Sequence, residues 1–263
     1  MAGENSLQVM SYNIKYATEE DGENSWSKRK DHLKDLISSY NPDILGVQEA
    51  RQSQLQFLEE QLEDFSYFGT GREGGEKGLF NAIFYRKELF EVSGQATFWL
   101  SKTPLEPSIG WDASYKRICT YGFLKHTITG EKCWVFNTHF DHQGKQAVKE
   151  SAELIIKQIV AVNTGNDPVI LMGDFNLEPE DLPVQYLAKI LNDSRKISGK
   201  VTPGPEETFN AYEFDEEPIG RFDYIFVNEK VEVLNYAVLT ESNEEKYPSD
   251  HFPVLVKLVL KKE

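Results

Sequence analysis

The stretch Val169-Ile170-Leu171-Met172-Gly173-Asp174-Phe175-Asn176 decides how the rest of the chain is read. Four apolar residues in a row indicate a buried strand. Gly173 then permits a tight turn, so that Asp174 and Asn176 emerge at the strand's carboxyl end. In layered α/β proteins ligands gather at that end of a sheet. A carboxylate and an amide two residues apart there can share one hard cation or one phosphate oxygen. Three other segments have the same form: Gln48-Glu49 after the apolar residues 44–47, Asp223 within Arg221-Phe222-Asp223-Tyr224-Ile225-Phe226, and Ser249-Asp250-His251 just before residues 252–260.

On either side the chain alternates between helical and strand periodicity. Residues 7–14 alternate apolar and polar side chains. Residues 27–40 place His32, Leu33, Leu36, Ile37 and Tyr40 on one helical face, with Ser25 or Ser27 as cap and Asn41-Pro42-Asp43 as stop. A strand over 44–47 and a helix carrying Leu55, Phe57, Leu58 and Leu62 follow. Segments 79–85, 90–100, 118–126 and 133–140 read as consecutive strands. Residues 145–162 form the most regular helix, with Val148, Ile155, Ile159 and Val162 on one face. After 169–172 come a helix near 182–191, polar loops over 198–207, and strands at 222–227, 231–239 and 252–260. No segment has linker composition, so one domain over 1–263 is expected. Two packed sheets satisfy this order, each burying one face on the other and one under helices. The expected fold class is α/β: a two-layer β-sandwich of mixed sheets flanked by helices, four layers in the order α/β/β/α.

Composition narrows the function. A chain of 263 residues, 40% apolar with 16 Phe, can bury a sizeable core. Its 28 basic and 43 acidic side chains give a net charge of −15, which argues against a broad duplex-DNA surface. A small phosphorylated substrate stays open, because a metal can supply positive charge locally. No apolar run is long enough to span a bilayer, and Met1-Ala2-Gly3-Glu4-Asn5 has no signal-peptide pattern. A cytoplasmic or exported soluble monomer is expected. Cys119 and Cys133 lie on strands joined by a turn near Thr129-Gly130. In that register Cys133 faces a residue near His126, about 20 Å along the strand from Cys119 at ~3.3 Å per residue, so no disulfide is expected.

Several local patterns have two readings. The Gly-rich loop 69–78 lacks the Gly-Lys-Ser/Thr ending of a phosphate cradle and reads as a solvated turn. His139, Asp141 and His142 resemble a metal cluster, but His139 and Asp141 fall on one strand face and His142 on the other. Asp223 lies between apolar neighbours and needs a partner; a histidine suits it, since the carboxylate orients the ring and raises its basicity.

Six stretches together resemble the endonuclease/exonuclease/phosphatase superfamily: Ser11-Tyr12-Asn13-Ile14, Asp43-Ile44-Leu45-Gly46-Val47-Gln48-Glu49, Asn137-Thr138-His139, Gly173-Asp174-Phe175-Asn176, Phe222-Asp223-Tyr224-Ile225 and Ser249-Asp250-His251. They occur in the family's order and span nearly the whole chain. Its uncharacterised bacterial members also share Phe98-Trp99-Leu100-Ser101, Gly110-Trp111-Asp112 and Arg117-Ile118-Cys119-Thr120. The resemblance implies the deoxyribonuclease-like sandwich and a phosphoesterase dependent on Mg²⁺ or Mn²⁺.

By the same resemblance Glu49 is the principal metal ligand, with Asp250 close to the same ion. Asp174 orients or deprotonates the attacking water. His251, held by Asp223, contacts the phosphate and helps transfer a proton. His139 hydrogen-bonds a phosphate oxygen, Asn176 and Asn13 do so or position a ligand carboxylate, and Arg117 adds a cationic clamp. Lys15 stands where several nucleases carry a second metal-binding acid, which favours one tightly held ion. Leu79 stands where deoxyribonuclease-like members carry a Glu that orients the central histidine, leaving Glu76 as an alternative partner for His139. Trp99, Trp111 and Tyr115 form either a stacking wall at the site mouth or a cap on the core. A small or single-stranded phosphomonoester or phosphodiester is the expected substrate; a DNA or RNA nuclease and a non-catalytic binding module are the alternatives. His251→Ala is expected to slow turnover with little loss of folding.

Overall fold

Two six-stranded sheets lie face to face in the computed structural model, which describes residues 6–261. The elements are β1 (Ser6–Asn13), α1 (Trp26–Tyr40), β2 (Ile44–Ala50), α2 (Gln52–Gln61), β3 (Phe65–Phe68), β4 (Phe80–Arg86), β5 (Phe90–Trp99), β6 (Ile118–His126), β7 (Lys132–His139), α3 (Lys145–Val162), β8 (Val169–Asp174), α4 (Leu182–Ile190), β9 (Asn192–Asp193), α5 (Ser194–Ile197), β10 (Asp223–Val227), β11 (Val231–Val238) and β12 (Val254–Leu260). One sheet has the order β11-β12-β1-β2-β4-β3, the other β5-β6-β7-β8-β10-β9.

Strand alternation builds three apolar layers. Val9, Ile44 and Ile83 of the first sheet meet Val135, Ile170, Met172 and Ile225 of the second. On the outer faces, Met10, Leu45 and Phe84 pack under Leu33 and Ile37 of α1 and Leu55 of α2, and Phe136, Leu171 and Phe226 pack under Ile155 of α3 and Leu187 of α4. This is the expected four-layer order. Each sheet contains one parallel pair, β1 with β2 and β7 with β8, joined through α1 and α3. Parallel neighbours need such a crossover. Both crossovers bring their strand tips to the same end of the sandwich.

That end is tied by a buried amide. Val47 pairs with Ala82 but Ala50 with Phe80, so Gln48 and Glu49 bulge opposite Asn81. Asn137 of the facing sheet reaches into this break. Its Nδ2 donates to Val47 O (2.9 Å) and Ala82 O (2.8 Å), and its Oδ1 accepts from Gln48 Nε2 (2.7 Å).

The structure departs from the sequence reading at four places. Gly173 does not turn the chain: β8 runs on to Asp174, and a Cβ on Gly173 would lie 2.0 Å from Thr138 O, so the glycine is needed for close approach to β7. Cys133 pairs with Leu124, two residues from the register expected, and both thiols are buried and free. Ser25 is the N-cap of α1, but its hydroxyl meets Ser27 Oγ at 3.2 Å instead of a helix amide. The four-residue β3 was too short for its period to show.

Asn137→Ala would take this donor from two buried carbonyls, whereas Gln48 Nε2 keeps Ser11 Oγ (3.2 Å) and Gly46 O (3.3 Å). The expected loss is at least about 2 kcal/mol, at 1–3 kcal/mol for each abandoned carbonyl, read from urea unfolding; a loss below 1 kcal/mol would show that water replaces the amide.

Candidate active site

The strand tips surround a cavity of about 880 Å³. Glu49, Arg117, His139, Asp174, Asn176, Asp250 and His251 line it; Asn13 and Asp223 are buried behind it.

At its floor two acids share one histidine. Asp174 and Asp223 face each other in the β8–β10 register. His251 Nδ1 lies 2.8 Å from Asp223 Oδ2, and His251 Nε2 lies 3.8 Å from Asp174 Oδ2. Burial pushes His251 down, but Asp223 and then Asp174 outweigh it and lift the imidazole to about 10. Burial raises Asp174 to about 7 against the lowering influence of the His251 charge. One nitrogen or oxygen from each of Asp174, Asp223 and His251 lies within 4.8 Å of the others, a spacing a metal could use. Because Nδ1 is already engaged by Asp223, the trio reads better as a proton-sharing group. It also revises one expectation: His251→Ala would strand two carboxylates in the interior and would disturb folding, so His251→Gln is the cleaner substitution.

Two amides hold Asp174. Asn13 Nδ2 donates to its Oδ2 (2.9 Å) and the Asn176 backbone N–H to its Oδ1 (2.9 Å). Asn13 is 1% exposed and its Oδ1 accepts from Lys15 N, so in this structure it holds the carboxylate from behind the cavity lining. Asn176, at φ +51°, directs Nδ2 to Phe140 O (3.1 Å) and to His139 Nε2 (2.9 Å). A carbonyl can only accept, so the amide nitrogen faces Phe140 O, while His139 Nε2 also lies 3.3 Å from Asp174 Oδ2. His139 is a neutral ring near pH 7. Burial, and next the Arg117 charge, hold it well below the usual imidazole range. Its partner is Asn176, not Glu76, and Leu79 and Asn81 wall the small cavity behind it with Arg72 and Arg117. The Asn176 side chain thus sits between Phe140 O and His139 Nε2 at the cavity wall.

Glu49 and Asp250 form the opposite lip. Glu49 sits on the bulge of β2 at φ +62°, a conformation that an L residue adopts at a cost and that aims it into the cavity. Tyr16 N approaches its Oε2 at 3.4 Å. Lys15 Nζ lies 3.2 Å from Asp250 Oδ2, and the Asp250 and Glu49 charges together hold that ammonium above its usual range against burial. Ser249 Oγ fixes this lip by donating to Asn13 O (2.7 Å).

The outer wall holds residues that motif reading missed. Arg72, in the Gly-rich turn, faces the cavity beside Arg117. Arg117 Nε meets Asp141 Oδ1 at 3.2 Å, and its Nη2 meets His142 Nδ1 at 3.1 Å. Asp141 also accepts from Gln143 N and Gly144 N, so it organises the loop before α3. Of the three aromatic residues, Tyr115 lines the mouth and stacks on His142, with ring centroids 6.1 Å apart. Trp99 is buried and donates Nε1 to Arg72 O (2.7 Å). The wall beside His251 comes from the polar loop before β10: Phe252 N donates to Thr208 O (2.7 Å), and the Phe209 ring stands edge-on to His251 at 5.0 Å. Its polar composition gave no sign of this.

Similarity to known proteins covers the same ground. The Endonuclease/Exonuclease/phosphatase family matches residues 10–251. An endonuclease/exonuclease/phosphatase family protein of Bacteroides thetaiotaomicron has 37% sequence identity and a TM-score of 0.93, over 98% of this chain and 99% of its own. A mannosyl-6-phosphatase of the same organism has 37% identity and a TM-score of 0.92, over 97% and 100%. An uncharacterised protein of Acanthamoeba polyphaga mimivirus is 27% identical over 252 residues, 88% of this chain and 91% of its own.

The neutral state of His139 has a thermodynamic signature. The unfolded chain accepts a proton near pH 6.5 that the folded state resists, so the contribution of this ring to stability is present above pH 6.5 and is lost as pH falls toward its folded pKa. His139→Gln should therefore flatten the decline of stability between pH 6.5 and 5, by up to about 1.4 kcal/mol per pH unit. Urea midpoints measured across that range check it; an unchanged slope would mean that His139 titrates normally.

Proposed function

The chain belongs to the endonuclease/exonuclease/phosphatase family, and from that membership we propose a divalent-metal-dependent phosphoesterase, one catalytic domain in extent, that hydrolyses a small phosphoester by in-line attack of water. The observation that carries this reading is the placement of Asp174 and His251 on the floor of one cavity, His251 Nε2 lying 3.8 Å from Asp174 Oδ2, below the Glu49 and Asp250 lip. A carboxylate and an imidazole so placed can divide the roles of base and acid.

Asp174, at about 7, can accept a proton from water near neutrality. His251, raised to about 10 by Asp223 and Asp174 against burial, holds its proton at that pH and is assigned as the acid. It stabilises negative charge on the phosphoryl group and can deliver a proton to the leaving oxygen. Asp223 fixes its orientation through Nδ1. Asn13 Nδ2 and the Asn176 backbone N–H keep the Asp174 carboxylate in place.

Glu49 and Asp250 supply hard oxygen donors on one lip, a set that fits Mg²⁺ or Mn²⁺. When bound there, the ion supplies positive charge against the phosphate oxygens. Lys15 already lies on Asp250 Oδ2, which supports one ion over two. The bounded cavity and the net charge of −15 favour a compact substrate over duplex DNA. The relative named a mannosyl-6-phosphatase supports sugar phosphates among the candidates.

Phosphomonoesters and phosphodiesters with Mg²⁺, Mn²⁺ and EDTA controls test the reading. Asp174→Asn and His251→Gln should each lower kcat by ~10²-fold or more. Glu49→Gln should weaken Mn²⁺ binding by at least about tenfold in calorimetry, the effect of losing one charge-assisted ligand. Unchanged Mn²⁺ affinity, together with no turnover of any ester, would leave a non-catalytic binding module. Plasmid DNA cleaved faster than every small ester would overturn the substrate class.

A further inference from the structure

The chemistry above leaves two cations in the cavity wall, Arg51 and Arg72, without a task. We propose that Arg72, lying over Tyr115 and beside Arg117, recognises the terminal oxygens of a phosphomonoester dianion and makes the site prefer monoesters to diesters. This inference rests on the phosphoesterase reading and adds the substrate class to it.

Arg72 is launched from a fixed point. Its N–H donates to Leu79 O (2.9 Å) and its carbonyl accepts from Trp99 Nε1 (2.7 Å), so the turn cannot carry the side chain away without breaking both. The guanidinium lies 5.1 Å from the Tyr115 ring centroid. Arg117 lies over the same ring at 5.9 Å. Two like charges thus lie against one aromatic ring at the rim of the cavity that holds Asp174 and His251.

Their counter-charges are unequal. Arg117 has Asp141 at 3.2 Å. Lys15 has Asp250 at 3.2 Å. The acid nearest Arg72 is Glu73, and Glu73 is taken by Lys116. Arg72 Nε remains 4.0 Å from Glu73 Oε1, beyond hydrogen-bond reach, and is buried with no hydrogen-bond partner among the described residues. A half-buried guanidinium beside a second one, its Nε hydrogen-bonded to no carboxylate, is stabilised by an incoming anion. Burial first, and then the Arg117 charge, already hold Arg72 below its usual range.

The geometry favours one kind of anion. A monoester presents three terminal oxygens and between −1.5 and −2 charges near neutrality, a diester two oxygens and a single charge. Paired guanidiniums match adjacent terminal oxygens through their planar N–H forks. The second ester group of a diester would replace one such oxygen with a neutral, bulkier substituent beside the two cations.

The test compares p-nitrophenyl phosphate with bis(p-nitrophenyl) phosphate in wild type, Arg72→Gln and Arg72→Lys, with inorganic phosphate binding by calorimetry. Arg72→Gln should lower kcat/KM for the monoester by ~10- to 100-fold, the loss of one charged hydrogen-bonding group, while the diester changes less than about threefold. Phosphate affinity should fall by a similar factor. Arg72→Lys, which keeps the charge without the fork, should recover part of both. Equal losses on the two esters, or a phosphate affinity unchanged in Arg72→Gln, would overturn the proposal. If wild type hydrolyses neither ester but its phosphate affinity still depends on Arg72, the anion site stands and the hydrolase reading fails.

Discussion

Two carboxylates face each other across the β8–β10 ladder in the protein interior, and one imidazole between them makes the arrangement tolerable. Asp174 and Asp223 occupy opposed positions of that ladder. Left alone, one would have to stay protonated. With His251 hydrogen-bonded to Asp223 and near Asp174, the trio carries its charge internally. Much of the rest of the site is support for this group. Asn13 and Asn176 hold Asp174, Thr208 Oγ1 accepts from the backbone N–H of Asp223 (3.1 Å), and Phe209 flanks the ring.

The sandwich delivers that support by converging parallel pairs. β1 with β2 and β7 with β8 end together, so residues from both sheets reach one cavity. The bulge in β2 turns Glu49 into it, and Asn137 satisfies the carbonyls that the broken ladder exposes. A deviation that would weaken a sheet elsewhere here directs a side chain and is compensated by one amide. The same economy explains Gly173, whose missing Cβ lets β7 and β8 close enough to bring His139 opposite Asp174.

The sandwich was legible because apolar runs and their polar tips are local features. The segment around Asp174 and the one around Asp250 could be placed at strand ends from their own neighbours. The direction in which each side chain faces was not legible. Whether Asn13 meets substrate or Asp174 depends on β1 and β8 belonging to facing sheets, a relation between residues 161 positions apart. For His139 a carboxylate was sought, with Glu76 as the alternative; the amide of Asn176, two residues past the end of β8, lies against it instead. Arg72 was hidden by the composition of its turn, which is solvated at its tip but anchored at its base. The loop carrying Thr208 and Phe209 is equally polar and acquires order through contacts to residues around His251.

The order of the strands also sets when the site can exist during synthesis. β1 pairs with β2 on one side and with β12 on the other, and Ser249 closes onto the backbone of Asn13. A growing chain can form the β1–α1–β2 unit early, yet it keeps one edge of β1 open until residues 254–260 leave the ribosome. Such an edge invites wrong pairing for as long as it stays uncovered. The strand that covers it follows directly after Asp250 and His251. The segment that protects the nascent sheet therefore arrives together with the side chains that complete the centre, so a partial product carries neither.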